Sequence, residues 1–465
     1  MTGTEGYPLR VAIIGAGPAG FYAASYLLKQ KDLHIEVDLY DRLPSPYGLV
    51  RLGVAPDHEK IRNVIRVYDK TAHMDGFRFI GNVEIGKDIS VDELRAHYHQ
   101  IIYCTGAQED RRLGIPGEYL EGSHSATEFV AWYNGHPNYR HLTFDLTQET
   151  VVVVGVGNVA VDVARILCRS VAELAKTDIA DYALEALRTS RVRHVIMLGR
   201  RGPAQAAFST PEVRELTKLK EATVHLSTRD ATLDTLSAED VATNPKRSTS
   251  KKLELLHTFT EKQKPRKKRL TLRFLTSPTE LVDNGTGRVG KVNLVRNELF
   301  RSESGKLRPR ATDEIETIET GLVFRSVGYR GVPIPGVPFK SNWGIIENDH
   351  GRVLNSEDGS TVIGEYVAGW IKRGPTGVIG SNKIDAQETV ETMLEDLQAG
   401  LLLSPRFTSR NEIDTFLLER GIRAVSFAEW MQIKTEEEAR GAESGRPRIK
   451  FTSVEEMLDL LAKPA

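Results

Sequence analysis

Gly15, Gly17 and Gly20 stand in the run GAGPAG directly after the apolar stretch Leu9 to Ile14, and Gly155 and Gly157, with Ala160 in the third place, follow VVVV in the same way. The first glycine of such a set permits a tight turn. The second lets the backbone approach a pyrophosphate, and the third lets a helix pack closely on a strand. A helix opening inside each motif directs free amides and the positive end of its dipole at the phosphates. Each spacing therefore points to a bound dinucleotide. Asp41 follows Gly20 by about 20 positions and closes the run Ile35 to Tyr40, where a carboxylate can accept hydrogen bonds from a ribose diol. The matching place in the second unit, after Val192 to Leu198, holds Gly199-Arg200-Arg201-Gly202 and no acid. Two guanidiniums suit a 2'-phosphate through charge-assisted, bidentate hydrogen bonds, so the second site reads as one for NADP(H).

The elements that position these residues follow from the same patterns. Leu9 to Ile14, a helix from Pro18 to about Gln30 and Ile35 to Tyr40 make a β-α-β opening, and Thr150 to Arg165 begins a second one. Gln100 to Ala107 and Thr361 to Trp370 are apolar runs ending in small-residue turns, two returns to the first sheet of the kind that wraps an extended FAD. From Pro375 the chain passes Gly377 into a long helix whose first amides would face a flavin ring and stabilise negative charge on it. The expected fold is α/β with two Rossmann-like dinucleotide-binding domains. The NADP domain, 109–331, is inserted into a discontinuous FAD domain of 1–108 and 332–465. After Leu403 the pattern gives two short helices, a charged stretch containing glycine and an amphipathic helix near Ser453 to Leu461, all read as packing.

The chain of 465 residues carries 62 Lys and Arg against 63 Asp and Glu, so no global field draws it to nucleic acid or a membrane. Its apolar runs are too short to span a bilayer. Cys104 and Cys168 lie too far apart in sequence to make a redox motif, and two cysteines cannot supply a four-ligand metal site, so no metal is expected. The N-terminal MTGTEGYPLR lacks a signal core, and a reducing, cytoplasmic setting is the expectation. One local charge excess stands out: Lys246 to Arg273 holds eleven Lys and Arg against Glu254 and Glu261. Phe259 is its one aromatic, which argues against base stacking. The span reads as a solvated insertion or, projecting beside the flavin cleft, as a docking surface for an acidic electron carrier.

GVAPDH (Gly53 to His58), GVGNVAVDVAR, GRRGPAQAAFSTPEVREL and AGWIKRGPTGVIGSNK together resemble the adrenodoxin reductase-like family of ferredoxin-NADP reductases. The resemblance implies contacts to FAD from Ala16, Asp41, Leu49, Ile85, Trp370, Gly377, Val378 and Ile379. It implies contacts to NADP from Val156, Gly157, Asn158, Val159, Arg200, Arg201, Glu212 and Gly377. It also places His58 and Glu212 beside the nicotinamide as catalytic residues that orient it and tune the local charge. Relatives often carry Val for Ile85 and Glu for Asp41. Disulfide reductases are disfavoured by Trp370, which stands after Gly369 where they carry Asp, and by the missing cysteine pair. Glutamate synthase small subunits would add a cysteine-rich segment. The implied activity passes electrons from NADPH through FAD, one at a time, to a ferredoxin-type iron-sulfur protein. A quinone reductase or general diaphorase, or a redox sensor that turns nothing over, would keep the same motifs.

Overall fold

All six residues of Leu9–Ile14 are buried, as a strand flanked on both edges and covered on both faces requires. In the computed structural model, which describes residues 2–463, this strand sits near the middle of a seven-stranded sheet. Its parallel part runs Thr361–Val367, Gln100–Tyr103, Leu9–Ile14, Ile35–Tyr40 and Phe77–Ile80, with Val11 opposite Gln100 and Glu365 opposite Ile101. Both expected returns to the first sheet are therefore present. The strands stop at Tyr103 and Val367, earlier than the apolar runs, because Gly106 and Gly369 take φ of +71° and +83° and turn the chain. Asn348–Asp349 and Arg352–Leu354 add an antiparallel edge. The helices Pro18–Leu27 and Ser381–Ala399 pack on one face, where Phe21, Ala24, Ala386 and Met393 join one apolar cluster.

A second sheet is parallel throughout, in the order Ser123–Ser125, Leu322–Arg325, Thr150–Val154, His194–Leu198, Lys268–Arg273 and Ala222–Leu226. Glu109–Asp110 pairs with Tyr329–Arg330 where the chain crosses from one sheet to the other and back. An antiparallel sheet of Thr276–Asp283, Val289–Arg301 and Leu307–Glu319, absent from the sequence reading, stands against the second sheet through Leu281, Val292 and Leu294.

Three expectations need correction. The second of the two helices after Leu403 is not short: Phe427–Glu443 runs for 17 residues, opened by a capping box between Ser426 and Glu429, and the charged, glycine-containing stretch follows it without helix or strand up to Ser453. Its buried face is Trp430, Ile433, Glu437 and Gly441, and Glu437 receives both guanidinium nitrogens of Arg51 at 2.8 and 2.5 Å. A paired charge on the inner face hid how far the helix runs. The long helix after Pro375 begins only at Ser381, so residues 374–380 form a loop. The basic span does not project beside the cleft as one patch. Lys268 opens its strand opposite Ala222, at the end of the sheet away from the glycine turns, and its Nζ donates to Leu167 O at 2.6 Å. Lys252 is buried and donates to Ala206 O at 2.6 Å. No helix among the described residues is long and apolar enough to cross a membrane.

Candidate active site

Gly15 takes φ +110°, and a Cβ there would meet Cys104 O at 2.6 Å; Gly155 takes +139°, with Ser326 O at 2.1 Å. Only glycine makes either turn. A Cβ on Gly17 or Gly157 would meet nothing within 4 Å, so both backbones face open space at the start of a helix. That space is a single cavity of about 1650 Å³ reaching from one turn to the other. It exceeds the roughly 300–1,000 Å³ of a pocket for one small ligand, as two extended dinucleotides would require.

The sequence-nominated residues mostly meet on its wall: Gly15, Gly17, Asp41, Leu49 and Ile85 from the first unit, Val156 to Val159, Arg200, Arg201 and Glu212 from the second, then Trp370 and Gly377 to Ile379, with His58 between. Ala16 and Gly20 lie behind it. Ala16 is buried and donates its amide to Asp41 Oδ2 at 3.1 Å, while a Cβ on Gly20 would strike Gly15 O at 2.2 Å. Asp41 also accepts from Leu43 N at 3.0 Å, so it braces the loop it was expected only to follow; burial pushes its carboxyl up to about 6. Thr105, at the end of the Gln100–Tyr103 return, has a buried hydroxyl with no partner and lines the cavity.

The second glycine turn is stitched to the segment that follows Arg201. Val156 O accepts the amides of Ala207 and Phe208, both at 2.9 Å, and Asn158 Oδ1 accepts Ser209 N at 2.8 Å. Ser209 caps the helix Thr210–Leu216, whose first turn carries Glu212. This brings Glu212 Oε2 to 3.8 Å from His58 Nδ1 and 3.6 Å from Arg165 Nη1. Arg165, fully buried, also holds Asp57 at 2.9 Å and Asp162 at 2.8 Å, and Arg169 meets Asp57 at 2.5 Å. Burial, reinforced by Arg165, drives His58 down to about 4, so its ring is neutral near pH 7. Burial raises Glu212 and lifts Asp162 to about 7, whereas at Asp57 the two arginines outweigh burial and lower it. Asp57, Asp162, Arg165 and Arg169 were missed in the sequence. Asp162 and Arg165 stood in plain view in VAVDVAR, one helical turn apart, but nothing local says that their partner is Asp57. Atoms of His58, Asp162 and Glu212 come within 4.8 Å of one another, a spacing a cation could use, but the Arg165 guanidinium already supplies the positive charge there.

Arg200 and Arg201 end the His194–Leu198 strand with no carboxylate bonded to either guanidinium among the described residues. Their carbonyls are fixed instead, Arg200 O by Asn297 Nδ2 at 2.9 Å and Arg201 O by Leu275 N at 3.0 Å. Burial, then the charges of Arg200 and Arg308, lower the Arg201 pKa.

Residues 9–197 match the model of the pyridine nucleotide-disulphide oxidoreductase family. The chain is 44% identical over 460 residues to the NADPH-ferredoxin reductase FprA of Mycobacterium tuberculosis, covering 97% of this chain and 98% of that protein. The chain belongs to the NADPH-ferredoxin reductase family. The human mitochondrial NADPH:adrenodoxin oxidoreductase is 43% identical over 464 residues, covering 97% and 92% of the two chains. Mycobacterium tuberculosis FprA solved in complex with NADPH superposes with a TM-score of 0.91 over 97% of this chain and 99% of that one. Despite the match to a disulphide oxidoreductase model, Cys104 and Cys168 are both free and buried.

Proposed function

We propose that this protein is an NADPH-dependent FAD oxidoreductase that delivers electrons singly to a ferredoxin-type iron-sulfur protein. The observation that carries the reading is the single cavity joining a glycine turn braced by Asp41 to a second glycine turn, with Arg200 and Arg201 on the wall beyond it without a carboxylate partner among the described residues. The wall fits both groups. Gly17 and Gly157 offer bare backbone at helix starts, and Thr105 offers an unused hydroxyl. When bound, FAD takes up a hydride as an electron pair and gives electrons up one at a time, which joins a nicotinamide to a one-electron carrier.

In this reading residues 1–108 and 332–465 hold FAD and 109–331 hold NADP. The Gly15 to Gly20 turn and Asp41 carry the pyrophosphate and ribose end, and Leu49, Ile85, Trp370 and the Gly377 to Ile379 amides enclose the ring. Val156 to Val159 hold the second pyrophosphate, and Arg200 and Arg201 hold the 2'-phosphate. His58, neutral, and Glu212 would orient the nicotinamide beside the Arg165 charge, a positioning role that asks no proton of either side chain. Two free, buried cysteines support a reducing cytoplasmic location. The test is spectroscopic: yellow protein with about one FAD per chain should bleach on anaerobic addition of NADPH and recover its colour with oxidised ferredoxin. Protein carrying FMN, or a flavin that NADPH leaves oxidised, would refute the reading.

A further inference from the structure

Residues 375–380 line the cavity between the two glycine turns. The second half of this loop is tied to the helix that follows: Val378 O, Ile379 O and Gly380 O accept Ser381 N, Asn382 N and Lys383 N, and Val378 N donates to Ser381 Oγ at 3.1 Å. The first half has only Gly374 N to Trp370 O at 2.9 Å and Thr376 N to Gly374 O at 2.8 Å, with Gly374 and Gly377 at φ of +80° and +81°. That first half owes its shape to what grips it from outside. The grip falls on Thr376 O, which accepts from Trp370 Nε1 at 3.1 Å and Arg373 Nη2 at 3.3 Å. Arg373 is held by Asn382 Oδ1 at 2.9 Å and by Asp385 Oδ2 at 2.7 Å. The same Asp385 oxygen accepts the amide of Gly369 at 2.5 Å, which begins the turn carrying Trp370, while Lys372 Nζ lies 3.2 Å from the other oxygen. Asp385 itself is buried in the Ser381–Ala399 helix.

We propose that Asp385 is a positioning residue for the reaction: one buried carboxylate sets both the Trp370 indole and the Gly377 to Ile379 amides. The inference rests on reading the cavity as the flavin and nicotinamide site. Without the carboxylate, Arg373 loses its carboxylate partner while Lys372 keeps Glu388 at 2.6 Å, Gly369 N loses its acceptor and Thr376 O loses a fixed donor. Displacement of about 1 Å at groups that align reacting rings slows transfer by up to about 100-fold without abolishing binding.

The test compares Asp385→Ala, Asp385→Asn and Arg373→Leu as FAD-containing proteins. We expect Asp385→Ala to keep its FAD and to bleach roughly 10- to 100-fold more slowly at saturating NADPH, with a much smaller change in the NADPH concentration giving half the maximal rate. Thermolysin, which cuts before large apolar residues, should cut it faster at Val378 and Ile379. Asp385→Asn, which keeps an acceptor for Gly369 N, should be affected less. Arg373→Leu leaves the carboxylate in place and should reproduce the slowing and the faster cleavage, which keeps the test decisive if Asp385→Ala does not fold. Wild-type bleaching and cleavage in Arg373→Leu, or in a folded Asp385→Ala, would overturn the inference. A wild-type protein that NADPH does not bleach would instead overturn the functional reading, and the cleavage comparison would still decide whether Asp385 sets the loop.

Discussion

Replacing Arg200 and Arg201 together by Ala should abolish the preference for NADPH over NADH. Neither guanidinium has a carboxylate partner among the described residues, so neither must leave an existing ion pair to meet a phosphate. A hydrogen bond to a charged group contributes about 1.5–3 kcal/mol. Arg200 is exposed and its share must be discounted for screening, whereas Arg201 is half-buried. About 2–4 kcal/mol is left for the pair, a roughly 30- to 700-fold fall in kcat/KM for NADPH at about 1.4 kcal/mol per decade. NADH, lacking the 2'-phosphate, should change by less than about threefold. Removing Arg201, whose pKa burial and the neighbouring charges of Arg200 and Arg308 already lower, together with Arg200 should leave the thermal midpoint unchanged or slightly higher. Steady-state ferricyanide reduction with each nucleotide gives both ratios. Equal losses for NADPH and NADH would show that the arginines support the loop and do not read the phosphate.

Asp57→Asn leaves Arg165 and Arg169, neither of which can shed its proton, short of a buried countercharge; the expected cost is about 3–5 kcal/mol, visible as a thermal midpoint several degrees lower, and an unchanged midpoint would refute the pairing. Burial lowers His58, His99 and His124 to about 4 and His136 to about 3, so the unfolded chain binds more protons below its histidine pKa of about 6.5 and stability should fall as pH drops from 6.5 toward 4. Asp41 and Asp162, raised to about 6 and 7, act in the opposite direction but are fewer; a melting temperature that rises between pH 6.5 and 5 would show that they dominate. If an acidic carrier docks on the basic span, reversing Arg247 and Lys251 should slow ferredoxin reduction at low salt, because their helix, Arg247–His257, packs against the one bearing Glu212. Reversing Lys264 and Lys267, at the far end of the sheet, should not; equal effects would contradict this division.

The two glycine turns and both returns to the first sheet were legible because each rests on a local constraint: a φ that only glycine adopts, or an apolar run of strand length. The place of the arginine pair just after a strand was legible for a similar reason. What escaped was non-local. Asp57 and Arg165 are far apart in sequence and meet only where the Gly53 to Arg62 segment reaches the Asn158–Cys168 helix, and Glu212 joins them because the Ala207 to Ser209 amides tie its helix to the second glycine turn. The full length of the helix Phe427–Glu443 was obscured because Glu437 lies on its buried face, an arrangement that makes sense only once Arg51 is beside it. The basic span misled because charge was summed along the sequence, whereas Lys252 and Lys268 each donate to a buried carbonyl and belong to the interior.

The segment between Gly53 and Arg62 explains why these distant residues matter together. It leaves the flavin-side sheet and is gripped from two sides by the other unit. Asp57 is held by Arg165 and Arg169, and Arg62 binds Asp178 and, at 2.9 Å, Asn134 Oδ1. The C-terminal segment closes the same junction, with Lys450 Nζ 3.3 Å from Asp178 and donating to Asn134 O at 2.9 Å. His58 lies between the two grips. Its position relative to Glu212 is thus set by buried ion pairs on either side, and breaking one strands a charge in the interior. Groups on the two sides of such a junction are aligned by the resting fold, which lowers the entropy of orienting whatever binds between them. This accounts for the investment of buried charge around a histidine that carries none itself near pH 7.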